Sequence, residues 1–124
     1  MKFTSTSTEV YEDEEIGVIT IHFDDQKDLY LQFQGASIGF EEDYYDGGFV
    51  YMEVIDQAFS GNDCFEKVEL FRDKILVHDI TDDRIREKAE SIEVSFDIND
   101  AEFENLKEKM LLAFRDCREK LTIN

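Results

Sequence analysis

Through most of its length the chain alternates apolar and polar residues with a period of two, the pattern of strands that bury one face. Ile19, Ile21 and Phe23 share one side of Ile16–Phe23. In Leu29–Gln34, Leu29, Leu31 and Phe33 point one way, and Tyr30, Gln32 and Gln34 the other. Phe49–Ile55 is apolar on both sides except at Glu53, as a central strand would be. Phe65–Phe71 sets Val68 and Leu70 against Lys67 and Glu69, and Arg72-Asp73 makes a tight turn into Lys74–Ile80, with Ile75 and Val77 on one face. Ile92, Val94, Phe96 and Ile98 make the cleanest alternation of all. The first ten residues fit a weaker edge strand, and Asp82–Glu90 fits either a turn or a short piece of helix.

The period then changes. Phe103, Leu106, Met110, Ala113, Phe114, Cys117 and Leu121 recur at three and four residues, the stripe of an amphipathic helix. Asn99 and Glu102 have the spacing of a capping box, with Ile98 and Phe103 at the positions of a hydrophobic staple. Acids lead this helix and Arg115, Arg118 and Lys120 close it, which suits the helix dipole. The expected fold is α+β: a mostly antiparallel sheet of about six to seven strands, with one long C-terminal helix packed on one face. No proline, linker or repeat divides the chain, so residues 1–124 read as a single domain.

Composition supports a real core. Of 124 residues 42% are hydrophobic, with eleven phenylalanines, enough for a domain of this size to fold unaided. Charge changes the picture more. Asp and Glu number 31 against 13 Lys and Arg, a net charge of −18. Direct binding to nucleic acid needs a cationic face, so it is excluded as an expectation, and anionic membranes are disfavoured for the same reason. The attractive partners are cationic, although a plain solubilising surface has the same composition. The same charge opposes close self-packing of acidic faces. There is no apolar leader segment and no run of about 20 apolar residues, so a cytoplasmic location is expected.

The candidate chemistry is thin. Cys64 and Cys117 are too few and too far apart for a disulfide framework, and Cys117 on the helix stripe reads as a buried thiol. His22 and His78 lie in strands and read as exposed-face residues, each able to meet a carboxylate. Asp97, Asn99 and Glu108 fit the first, third and twelfth positions of a calcium loop, but Glu102 stands where glycine is required; Asp79–Glu90 fails likewise at Arg84. No metal, no cofactor and no catalytic residue is nominated, and the chain is expected not to be an enzyme. One segment combines dense acid with adjacent aromatics: Glu41, Glu42, Asp43, Tyr44, Tyr45 and Asp46, ending in Gly47-Gly48. Carboxylates pair with Arg or Lys, and tyrosine supplies contact area at low entropic cost. These six residues are the candidate partner-binding site, weighed against a solvated connection between two strands.

The stretch Tyr51-Met52-Glu53-Val54-Ile55-Asp56-Gln57, then Ser60-Gly61, then Val68-Glu69-Leu70-Phe71-Arg72-Asp73-Lys74-Ile75, resembles the Immunity Protein Ten family of bacterial polymorphic-toxin systems. The family layout is a strand ending near Asp-Gln, a Ser-Gly loop and a strand closing on Leu-x-Arg-Asp; Gln57, Ser60, Gly61, Arg72 and Asp73 match it as turn and structural residues. The Ile92–Phe96 strand and the acidic helix start fit the same layout. The chain departs from it at Asn62-Asp63-Cys64-Phe65, where a glycine-rich aromatic stretch is expected. The resemblance implies an immunity protein that binds and neutralises a cognate toxin, as in contact-dependent growth inhibition. An acidic inhibitor suits a toxin with a basic surface, such as a nuclease. The alternative is an acidic nucleic-acid mimic or an adaptor of another system.

Overall fold

A computed structural model describes residues 1–37 and 50–124 of the chain. Among the described residues ten strands form two five-stranded sheets. Sheet B is an antiparallel meander of β2 (Ser7–Asp13), β3 (Val18–Asp24), β4 (Tyr30–Ala36), β5 (Tyr51–Val54) and β6 (Asp56–Asn62), in that order. Sheet A is mixed. Its order is β1 (Lys2–Thr4), β9 (Ile92–Ser95), β8 (Lys74–Ile80), β7 (Phe65–Leu70) and β10 (Leu121–Ile123), with the two edge strands parallel to their neighbours. Two helices, α1 (Asp83–Arg86) and α2 (Asp100–Ala113), and a 3-10 segment (Arg115–Lys120) complete the described chain.

The period-two residues make the core. Ile19, Ile21, Phe23, Leu31, Phe33, Met52 and Val54 line the inner face of sheet B, and Val68, Leu70, Ile75, Val77, Ile92 and Val94 line that of sheet A. All thirteen are buried, so each sheet hides one face against the other. Phe33 meets Phe65 across the sheets edge to face at 5.8 Å, and Phe23 stacks on Phe96 at 5.7 Å. The Arg72-Asp73 turn joins β7 to β8 as expected.

The N-terminus of α2 follows its sequence signals. The Asn99 side chain accepts from the Glu102 amide at 2.8 Å, and the Glu102 carboxylate accepts from the Asn99 amide at 3.0 Å. Arg72 reaches across to donate to Ile98 O and to Asp100, and lies over the Phe103 ring. Asn99→Ala is expected to cost about 1 kcal/mol in a urea titration, with α2 the first element to lose amide protection. A cost near zero would mean that the arginine alone holds this end.

The far end of the helix does not run to Leu121 as the stripe suggests. α2 ends at Ala113, and Cys117 takes a non-helical φ of −134°. The last turn of α2 carries no basic residue; Lys120 lies in the 3-10 segment, and Arg115 reaches back to Leu112 O from beyond the helix. Arg115 donates to Ala36 O and Ser37 O, and Lys120 to Phe65 O. Leu121–Ile123 then pairs with Val68–Leu70 of β7. The cause is tertiary: an open sheet edge offers a full set of main-chain partners to a segment ending in the β-branched residues Thr122 and Ile123.

The expected single sheet is likewise corrected. The first ten residues form two strands, in different sheets, and Asp56–Asn62 adds a strand that has no apolar alternation. Ser60 and Gly61, read as a loop, lie in β6.

Candidate functional site

Residues 41–46, the acidic tyrosine segment, lie outside the described residues. The chain leaves the described part at Ser37, whose amide donates to Gly17 O, and re-enters at Val50, which exchanges hydrogen bonds with Asp63. Both flanks are buried, at adjacent strands of sheet B.

The outer face of that sheet carries the most developed polar arrangement. Register aligns Glu9, His22, Gln32, Glu53 and Ser60 in one row across the five strands, and Tyr11, Thr20, Gln34, Tyr51 and Asn62 in the next. Glu53 accepts hydrogen bonds from two phenols, Tyr30 and Tyr51, the latter at 2.6 Å. Burial first, and then the Glu53 carboxylate, raises both phenol pKa values, so the hydroxyls stay protonated as donors. His22 bridges Gln32 through Nδ1 at 2.9 Å and Asp24 through Nε2 at 3.2 Å, and its ring stacks on Tyr30 at 5.2 Å. Gln34 donates to Thr20 at 3.2 Å. The side chains are therefore pre-oriented by one another, which lowers the entropy a partner's binding must overcome.

Charge is distributed unevenly along the sequence. Residues 1–62 contain Lys2 and Lys27 against fourteen carboxylates, a balance of −12. Residues 63–124 contain eleven Lys and Arg against seventeen carboxylates, a balance of −6. The outward positions of β2–β6 include Glu9, Asp13, Asp24 and Glu53, with no Lys or Arg among those described.

The second histidine also meets a carboxylate, on sheet A. His78 Nε2 lies 2.7 Å from Glu69 Oε1, and Asn124 donates to the other oxygen. The His78 contact, opposed by burial, holds the Glu69 carboxyl below its usual range. Neither histidine stands beside a thiol. Cys64 and Cys117 are buried, and burial, reinforced by nearby Asp82 and Asp63 respectively, pushes both thiols up to about 11, far from a reactive thiolate. Among the described residues, no group of three or more His, Cys, Asp or Glu side chains could hold a metal ion. Asn99, a position of the calcium-like spacing, is committed to capping α2. Among the described residues, no helix is long and apolar enough to cross a membrane.

Two other carboxylates have depressed pKa values for local reasons. At Asp25 the Leu29 amide is the largest influence, with burial opposing and the Lys27 and Asp28 amides adding to it. At Asp82 burial opposes, but the Ile85 amide and the Arg84 guanidinium outweigh it. A carboxyl depressed in the folded state stabilises above its unfolded pKa, near 4, and that stabilisation is lost as pH falls through the lower folded value. Urea titrations taken below about pH 4 are therefore expected to show falling stability, with a shallower slope in Asp25→Asn and Asp82→Asn. An unchanged slope in both variants would remove these two loops from the acid response.

The alternation of Leu29–Gln34 already set Tyr30, Gln32 and Gln34 on a polar side, and Glu53 was the odd residue of its strand. Nothing in the sequence joined them; strand register did. Comparison with family models, with curated proteins and with solved structures finds no match to the chain.

Proposed function

We propose that this chain is an immunity protein that binds and neutralises a cognate bacterial toxin bearing a basic surface, a nuclease being the class that fits best. The observation that carries the reading is the one-sided chemistry of sheet B. Carboxylates and tyrosines share its outer face without a described Lys or Arg. Opposite fields accelerate encounter, to about 10⁸–10⁹ M⁻¹s⁻¹ at low salt, and a few desolvated aromatic anchors then hold the complex. The resemblance of Tyr51–Ile75 to the Immunity Protein Ten family supplies the toxin; the charge supplies only its sign. Residues 41–46 join the candidate surface on sequence grounds, since they connect β4 to β5.

In this reading the chain acts in the cytoplasm of the toxin producer as a stoichiometric inhibitor, without catalysis. Co-expression with the product of the adjacent upstream reading frame tests it. That product alone should arrest growth, and this chain should restore it. The association rate of the purified pair should fall steeply as salt rises. A non-toxic neighbour, or a toxic one that this chain does not neutralise, overturns the reading.

A further inference from the structure

Among the described residues the two sheets present four edge strands, and three of them are protected. β1 and β10 are three residues each, too short to template another chain. β6 is covered from α1: the Arg84 guanidinium donates to Ser60 O at 2.9 Å, and Lys88 lies over the Phe59 ring. β2 is less protected: α2 reaches it through the Lys109–Glu12 side-chain ion pair, which leaves its main chain free. It is seven residues long, is paired with β3 throughout without a register shift, and contains no proline or lysine. Among the described residues, nothing but β3 hydrogen-bonds to its main chain from Thr8 to Glu12.

The surroundings of that edge define what would fit. On the inner side a groove of about 140 Å³ opens between β2 and the start of α2, lined by Thr8, Val10, Ile98, Glu102 and Asn105. It has room for one side chain, with Val10 and Ile98 as its apolar lining and Thr8, Glu102 and Asn105 as its polar lining. On the outer side stand Glu9, Tyr11 and Asp13. Tyr11 and, at the hairpin tip, Ile16 are each about half exposed, beside Glu14 and Glu15.

We propose that the edge of β2, open among the described residues, is a docking site that takes an extended, cationic segment of a partner protein as a sixth strand of sheet B. Main-chain hydrogen bonds along Thr8–Glu12 supply affinity. Alternate side chains supply specificity, Lys or Arg over Glu9 and Asp13, and an aliphatic residue in the groove against Val10. A second copy of β2 is the poorer occupant, because it would set its own Glu9, Glu12 and Asp13 beside the same carboxylates. The proposal rests on the preceding reading only for the sign of the partner's charge.

The test uses the full chain and a short synthetic peptide of alternating lysine and valine, at physiological salt. Two further peptides carry backbone N-methyl groups, one at every lysine and one at every valine. All three have the same charge, but each methylated peptide has one blocked edge. The plain peptide is expected to slow amide exchange in β2. One methylated peptide should bind about tenfold more weakly or worse, and the other should match the parent. Equal affinity of all three means attraction by charge alone and overturns the proposal. So does slowed exchange confined to elements other than β2, or a free chain that sediments as a dimer with β2 already protected. Growth rescue bears separately on function: peptide binding intact with rescue absent sinks the immunity reading alone, and the converse sinks the docking site alone.

Discussion

Phe33→Ala is expected to cost about 3–5 kcal/mol in a urea titration, a large part of the ~5–15 kcal/mol that holds a domain of this size together. Phe33 is fully buried on β4 and touches two further rings, Phe65 of β7 at 5.8 Å and Phe114 at 5.8 Å. Phe65 and Phe114 are themselves 5.9 Å apart. The three rings therefore join sheet B, sheet A and the end of α2 at one point. Truncation removes burial, leaves a cavity, and breaks two edge-on ring contacts that add roughly 0.5–1.5 kcal/mol each. The neighbours cannot close the gap easily, because they belong to three different elements. Phe33→Leu should cost about half as much, since most of the volume is kept. A loss under about 1 kcal/mol for the alanine variant would show that the sheets are joined elsewhere.

The second large effect is expected two residues along the same strand. Gly35 lies against the end of α2, and a Cβ built there would sit 2.8 Å from Ala113 Cβ, 2.9 Å from Ala113 O and 3.0 Å from Ala113 Cα. Two of those three atoms belong to the helix main chain, so no rotamer change relieves the contact. In an ordinary strand, replacing glycine with alanine gains roughly 0.5–1 kcal/mol. Here the sign should reverse. Gly35→Ala is expected to destabilise by about 1–3 kcal/mol, and Gly35→Val by more, as α2 is pushed off β4. Movement of α2 would also strain the Lys109–Glu12 ion pair, 3.0 Å long, which ties the helix to β2. A double-mutant cycle sharpens the test. Ala113→Gly removes the shortest of the three contacts, so it should recover part, not all, of the loss. Purely additive costs would mean that the strand, not the helix, is what the new side chain disturbs.

Much of this core was readable in advance, because a period of two and a period of 3.6 are local properties. Ile19, Ile21 and Phe23, then Leu31 and Phe33, then Val68, Leu70, Ile75 and Val77 are buried as their alternation requires. Asn99 and Glu102 close the capping box their spacing announced, since a cap involves residues three apart on one turn. The α+β class and the buried thiol of Cys117 follow from the same local information.

What the tertiary structure alone decided was partnership. Alternation says that a strand hides one face, but not which strand lies beside it. Nothing local could therefore split one expected sheet into two or send the first ten residues into both. β6 is polar along much of its length and is a strand only because β5 supplies its hydrogen bonds. The helical stripe continued to Leu121 in good register, yet the open edge of β7 offered the last three residues a better set of main-chain partners. The same limit governed function. Composition set only the expectation of a cationic partner. Tyr51 and Asp24 reach Glu53 and His22 from two residues away, but only pairing brought Tyr30 onto Glu53, set Gln32 beside His22, and left β2 as a long edge whose main chain from Thr8 to Glu12 has no described partner but β3, because those relations join residues that are distant in the chain.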